Sequence, residues 1–372
     1  MPFLYVFKMK IKHILSAVLL ATLSTMGFAQ GCLEPAAGSS NGPKIIGYLQ
    51  PQYEYHFTED SKTGAVNTNT FKFNRMRIGV AGSIPYDFEY YALVEFSSFF
   101  TGNPFMLDAF VSYTRLGHWA KFSAGSFKSP VSLELTTPCN GLNTINRSMV
   151  VDELTSPNRD LGVGLYGSTD TLTIFGIETV NLLKYSFAIT NGTGLGVIDN
   201  NGGKNYSGRV VLTPWKHLSL GASYLTGKQK PAAEGVTDED TKTRWGVDAD
   251  FNWGAFRLQG EYLFGEDKGS YTEGGGCGTT PVVKIGNKQR DGFYVTAMYM
   301  TPWNIQPVFK YEQYDKDLDT DGDKQNIMTF GLNYFLNDWT RLQVNYLYKA
   351  EETAAIEYPN DCLLVQIQVK LK

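Results

Sequence analysis

Side chains able to make or break covalent bonds are few in this chain and poorly placed for it. Of its four histidines, His13 lies in an apolar leader and His56 in a loop. His118 and His217 fall at short turns. None stands in a strand beside a candidate serine, so the nucleophile and base that hydrolysis needs are not assembled. The four cysteines, Cys32, Cys139, Cys277 and Cys362, lack the spacing of metal ligands. They allow three pairings. Cys277 and Cys362 fall in long connectors on one side of the molecule, a pair that an oxidising compartment permits. Asp319-Thr320-Asp321-Gly322-Asp323 opens like a calcium loop, but the closing bidentate Glu and the flanking helices are missing. It reads as a solvated outer loop, as does Asp238-Glu239-Asp240. Gly274-Gly275-Gly276-Cys277-Gly278 is followed by no helix and no Lys-Ser/Thr, so it is no phosphate cradle. The expectation is therefore no enzyme, no cofactor and no metal.

Charge of fixed orientation remains. Arg75 and Arg77 share one face of a segment whose other face is Met76, Ile78 and Val80. An arginine facing lipid at mid-membrane costs roughly 2–4 kcal/mol, so in a membrane wall this pair faces water. A ring of such charges sets ion preference. The same arginines can also pair structurally with Glu89, Glu95 and Asp108, and paired charges still make a transverse field. The chemistry on offer is electrostatic filtering.

The elements holding these residues follow from export and alternation. Lys8, Lys10 and Lys12 precede an apolar run from Ile14 to Met26, and Gly27-Phe28-Ala29 ends in small residues. Residues 1–29 read as a removed signal peptide, with Met9 as an alternative start. Residues 30–44 form a periplasmic or lumenal extension. Beyond Ala29 no apolar run is long enough for a membrane helix. Aromatics make up 14% of the 372 residues and Gly numbers 38, which favours a barrel over a helical protein. The net charge of −4 argues for no nucleic-acid partner.

Period-two alternation runs almost to the C-terminus. Leu363, Val365, Ile367, Val369 and Leu371 take one face, with Gln366, Gln368 and Lys370 on the other. Strands are predicted near 45–55, 71–83, 88–98, 106–115, 119–127, 161–168, 182–190, 205–214, 218–226, 243–252, 255–264, 291–300, 305–314, 325–335, 340–349 and 363–372. That makes sixteen, mostly of the length a tilted strand needs to cross a bilayer. Connectors 56–70, 128–160, 227–242, 265–290 and 350–362 are long, while 84–87, 116–118, 215–217, 253–254, 301–304 and 336–339 are short. The connector 169–181 breaks this rhythm and leaves room for β-extensions or a small helix. Trp119, Trp215, Trp253, Trp303 and Trp339 each sit at a different short turn, where an indole settles at headgroup level. Residues 45–372 thus read as all-β: a transmembrane antiparallel β-barrel of about 16 strands in the outer membrane of a Gram-negative bacterium, contacting its lipid.

The longest connector and its flanks carry a family pattern. Gly125-Ser126-Phe127-Lys128-Ser129-Pro130-Val131-Ser132-Leu133-Glu134 is followed by Arg147-Ser148 and then Arg159-Asp160-Leu161-Gly162-Val163. Upstream stand Phe73-Asn74-Arg75-Met76-Arg77-Ile78-Gly79 and Asp108-Ala109-Phe110-Val111. The chain resembles the phosphate-selective porin O and P family, in its Bacteroidetes-type branch. The motifs cover residues 71–165, and the remainder matches in strand rhythm. The resemblance implies a long constriction loop folded into the lumen, a homotrimer, and passage of small hydrophilic solutes or ions, with anions such as phosphate among the candidates. The other reading is a substrate-specific channel, or the barrel of a larger uptake or adhesion complex. Pore-lining or constriction roles are expected for Arg75, Arg77, Glu95, Asp108, Lys128, Glu134, Arg147, Arg159 and Asp160. For Arg159 and Asp160, anchoring of the loop to the wall is the stronger expectation.

Overall fold

Extended backbone follows wherever apolar and polar residues alternate. The computed structural model describes residues 42–371, apart from 61–63, 101, 171, 175–176, 180, 232, 234–237, 274–281 and 353–358. Its strands are β1 (Lys44–Phe57), β2 (Thr68–Ile84), β3 (Phe88–Glu95), β4 (Phe105–Tyr113), β5 (Lys121–Lys128), β6 (Arg159–Ser168), β7 (Leu172–Ile174), β8 (Ile177–Thr179) and β9 (Leu183–Thr190). They continue with β10 (Asn205–Trp215), β11 (Leu218–Gln229), β12 (Asp240–Trp253), β13 (Phe256–Glu273), β14 (Val282–Tyr299), β15 (Ile305–Asp315), β16 (Gln325–Phe335), β17 (Thr340–Glu351) and β18 (Asp361–Leu371). Among the described residues, sixteen of these close into one antiparallel barrel. Each pairs with its chain neighbour, β6 pairs with β9, and β1 meets β18 at the seam. β7 and β8 pair with each other, outside the barrel, so the irregular connector holds β-structure.

Burial alternates in the sense a membrane wall requires. Val247, Phe330 and Leu332 are about half exposed on the outer face, whereas Gln343, Gln366 and Asn333 inside are fully buried. This is an inverted core, oily outside and polar within. At the front of the barrel the wall is so tight that one position must be glycine. Gly125 has φ +135°, and a Cβ there would lie 2.2 Å from the Ala109 carbonyl oxygen.

All five turn tryptophans lie at the short-turn end, from 38% exposed at Trp215 to 74% at Trp303. Trp215 and Trp253 pack together at 5.3 Å with the His217 ring against both. Trp245 has an outward place of its own beside Tyr262 and Phe264. At ~3.3 Å per residue and a tilt of ~40°, its distance along β12 from Trp253 corresponds to about 20 Å of height. That approaches the roughly 25 Å of a barrel's apolar band, so Trp245 marks the opposite rim.

Two expectations need correction. The supposed connector 265–290 is largely strand, because β13 and β14 each run 18 residues. Above the bilayer both faces meet water, so the oily alternation stops while backbone pairing continues. Cys362 is not in a connector. It is the second residue of β18, buried against Ile145 and Leu364, and its thiol is free. Among the described residues Cys362 has no disulfide partner, and Cys277, its expected one, lies outside them. So do residues 1–41, which hold the expected signal peptide and most of the extension that follows it.

Ala249→Arg puts a charge on the outer face of β12 near mid-height, four residues from both Trp245 and Trp253. Urea titration of protein folded into vesicles is expected to show a loss of about 2–4 kcal/mol.

Candidate pore constriction

Between β5 and β6 the chain turns inward, crossing the barrel through residues 129–158. It holds two short helices, α1 (Leu133–Thr136) and α2 (Met149–Leu154). Each stretch of it is bonded to a different part of the wall. Ser132 donates from its hydroxyl to Glu261 at 2.9 Å, and the backbone N–H groups of Leu133 and Glu134 donate to the same carboxylate at 3.0 and 3.3 Å. Glu261 thereby satisfies the open N–H groups at the start of α1. Further on, the Asn140 carbonyl accepts from Arg341 (3.2 Å) and Gln368 (3.1 Å), and the Asn143 carbonyl accepts from Asn333 (2.8 Å). The Ile145 N–H donates to Asn345 at 2.8 Å, Lys310 donates to the Ser148 hydroxyl at 3.2 Å, and Arg244 donates to the Leu154 carbonyl at 3.1 Å.

Apolar contact completes the attachment. Val131, Leu135, Val150, Val151 and Leu154 pack on Leu225, Leu263, Tyr294 and Tyr314, which point inward from the wall. Burying each such side chain contributes roughly 1.5–3 kcal/mol. Ser132 sits at φ +66°, a left-handed conformation that costs a non-glycine residue about 1 kcal/mol or more. Its bonds to Glu261 and Ser223 hold it there.

The charged residues divide across this loop. On the side of β1, β2 and β17, Arg77 donates to Glu95 (2.7 Å), to the Tyr48 hydroxyl (2.7 Å) and to the Cys139 sulfur (3.2 Å). Arg147 donates to the Glu134 and Thr137 carbonyls at 3.0 and 3.1 Å and to the same sulfur at 3.2 Å. Arg75 reaches Gln50 (3.1 Å) and the Ile145 carbonyl (3.2 Å). Lys128 donates to the Leu135 carbonyl at 2.8 Å. Gln50 donates to Gln368, which also accepts from Arg341, so two arginines are linked through two amides. On the side of β11 to β15 acids gather: Glu134 and Glu312 flank Lys310 at 3.7 and 3.3 Å, and Asp248 pairs with Arg209 near Glu261.

The nine expected charges fall into separate groups. Arg75, Arg77, Glu95, Lys128 and Arg147 meet on the basic side, and Glu134 faces the acidic one. Asp108 and Arg159 form a buried pair at 2.9 Å close by. Asp160 accepts from the Leu161 and Gly192 N–H groups, which ties β6 to the next loop. The structural ladder expected around Arg75 and Arg77 is only partly present. Glu95 binds Arg77, but Glu89 binds Lys121 and Asp108 binds Arg159. A cavity of about 80 Å³ runs beside the loop, lined by Tyr48, Arg77, Asp108, Lys128, Cys139 and Arg159 among others. A smaller one of about 30 Å³ lies across the loop by Glu134, Arg257 and Tyr294.

The model of the phosphate-selective porin O and P family matches residues 47–371. The chain belongs to that family. This porin also shares its fold with solved channels of low sequence identity. The anion-selective porin of Comamonas acidovorans superposes with a TM-score of 0.66 at 14% identity, covering 89% of this chain and 99% of that one. OmpT of Vibrio cholerae, in its trimer form, gives 0.58 at 14% identity over 89% and 100%. OmpF of Salmonella typhi, in complex with daunomycin, gives 0.58 at 15% identity over 88% and 97%. No curated protein sequence matches significantly. The porin is an outer-membrane channel.

Sequence reasoning missed Cys139, Glu261, Lys310 and Arg341 as parts of this site. Leu225 and Leu263 carried a signal: they are apolar residues on faces otherwise facing the lumen, and the loop is what covers them.

Glu261→Ala strands three donors at the start of α1, two of them buried. It is expected to lower stability by about 1–3 kcal/mol and to raise single-channel conductance and its noise as the loop loosens. Unfolding titrations and planar-bilayer recordings check this.

Proposed function

We propose that this porin passes small hydrophilic solutes by diffusion with a preference for anions, and that it works as a homotrimer. One observation carries the anion preference. Among the described residues, half-buried Arg75 and Arg147 and buried Arg341 sit in the lumen or its loop with guanidinium groups bonded to carbonyls, amides and the Cys139 sulfur, and to no carboxylate. Positive charge without a carboxylate partner beside a narrow low-dielectric passage concentrates anions there. Glu95, Asp108 and Glu134 stand in the same region, which argues for general anion preference over strict phosphate selectivity. Arg159 and Asp160 fit loop anchoring, since their carboxylate and N–H partners belong to the wall and its loops.

The trimer is supported by the low front wall. β3, β4, β5, β6 and β9 are 8 to 10 residues long, against 18 for β13 and β14. Short strands barely span the apolar band, and neighbouring copies placed there would cover the deficit. The five turn tryptophans, all exposed at one end, fit a periplasmic headgroup girdle.

Reversal potentials in a salt gradient test the selectivity. Wild type is expected to favour chloride over potassium. Arg147→Ala alone should move the ratio toward cations, and the triple change Arg75→Gln, Arg147→Gln, Arg341→Gln should move it by tenfold or so, about 1.4 kcal/mol. An unchanged ratio in the triple variant removes these arginines from the filter. Saturable block by a single solute would instead favour a substrate-specific channel.

A further inference from the structure

Cys139 has no role in the expectations above, yet it occupies the centre of the basic cluster. Its sulfur accepts from Arg77 of β2 and from Arg147 of the loop, each at 3.2 Å, and so joins wall to loop. The residue is 3% exposed and packs with Tyr48 and Leu142. It lines the 80 Å³ cavity together with Arg77, Lys128 and Arg159. The groups facing it are Tyr48 from β1, Arg75 and Arg77 from β2, Lys128 at the end of β5, and Arg147 from the loop itself. Two acids stand in this region, Glu95 bound to Arg77 and Asp108, which lines the same cavity, bound to Arg159. A neutral thiol is a weak acceptor, whereas a thiolate is the partner that two converging guanidiniums favour.

We infer that Cys139 is a specificity-determining residue of this channel, its sulfur serving as a fixed negative charge that offsets part of the arginine field. The assignment deepens the anion-preference reading and rests on the same lumen. Burial alone would raise the thiol, but the surrounding cations, Arg77, Arg147, Arg75 and Lys128, together hold it well below the ordinary value. Cys139 lies in the inward loop and not in a crossing strand, so it is screened from lipid.

Two variants separate charge from packing. Cys139→Ser keeps the size and the acceptor but carries no charge. Cys139→Asp restores a negative group. A unit charge about 8 Å from a passing ion changes its local concentration about twofold even when screened as in bulk water. Cys139→Ser is therefore expected to raise the chloride/potassium permeability ratio about twofold or more, and Cys139→Asp to return it toward wild type. The shift is read against wild type, so it stands whichever ion wild type prefers. Failure of the general anion reading would appear instead as a cation-selective wild type. An identical ratio in wild type and Cys139→Ser overturns the assignment. Should the serine variant fail to form a barrel, ultraviolet absorbance decides. A chain with Cys32→Ser, Cys277→Ser and Cys362→Ser should show thiolate absorbance at neutral pH from Cys139, and absence of that band overturns the proposal.

Discussion

Hydrocarbon offers no partner for a backbone N–H or C=O, and everything else in this porin follows from that. A strand crossing lipid must be paired on both sides, so the sheet must close. Closure gives each strand one face in oil and one in water. Polar residues are consequently concentrated inside, which is why an interior of Gln, Asn, Arg and Glu is stable here and would be ruinous in a soluble sandwich. The same inversion frees the lumen to carry charge.

The inward loop then divides this polar interior. It is bonded on nearly every side and packed on an apolar patch of wall, so it behaves as part of the wall. Its charges and those around it are unevenly paired: Arg75, Arg147 and Lys128 on the side of β1, β2 and β17 bond to carbonyls and amides, whereas the carboxylates near β11 to β15 are matched by Arg209, Arg257 and Lys310. An ion passing beside the loop meets a field across its path. The proposed filter needs only a narrow passage and this field, with no binding reaction.

Much of the fold was legible because its cause is periodic. Alternation located the strands and their polar faces, and the tryptophans fixed which turns were alike. Where alternation has no physical reason to persist, reading failed. β13 and β14 beyond the membrane have water on both sides, and Cys362 was mistaken for a connector residue because β18 begins with the polar Asp361. The site was legible in parts. Arg75 and Arg77 could be oriented from Met76, Ile78 and Val80, but their partners could not be chosen, since contacts across a lumen depend on where the loop runs. Nothing local to Cys139 or Arg341 reveals that the loop brings them to a common corner.

β1 and β18 join residues 47–57 to 361–371, the most distant pairing in the chain, and contacts of such separation form late. The loop is already bonded to Gln368 of that final strand. Closing the cylinder and seating its contents are thus one event. A product lacking β18 would hold two raw edges, on β1 and β17, and a loop without its Gln368 bond.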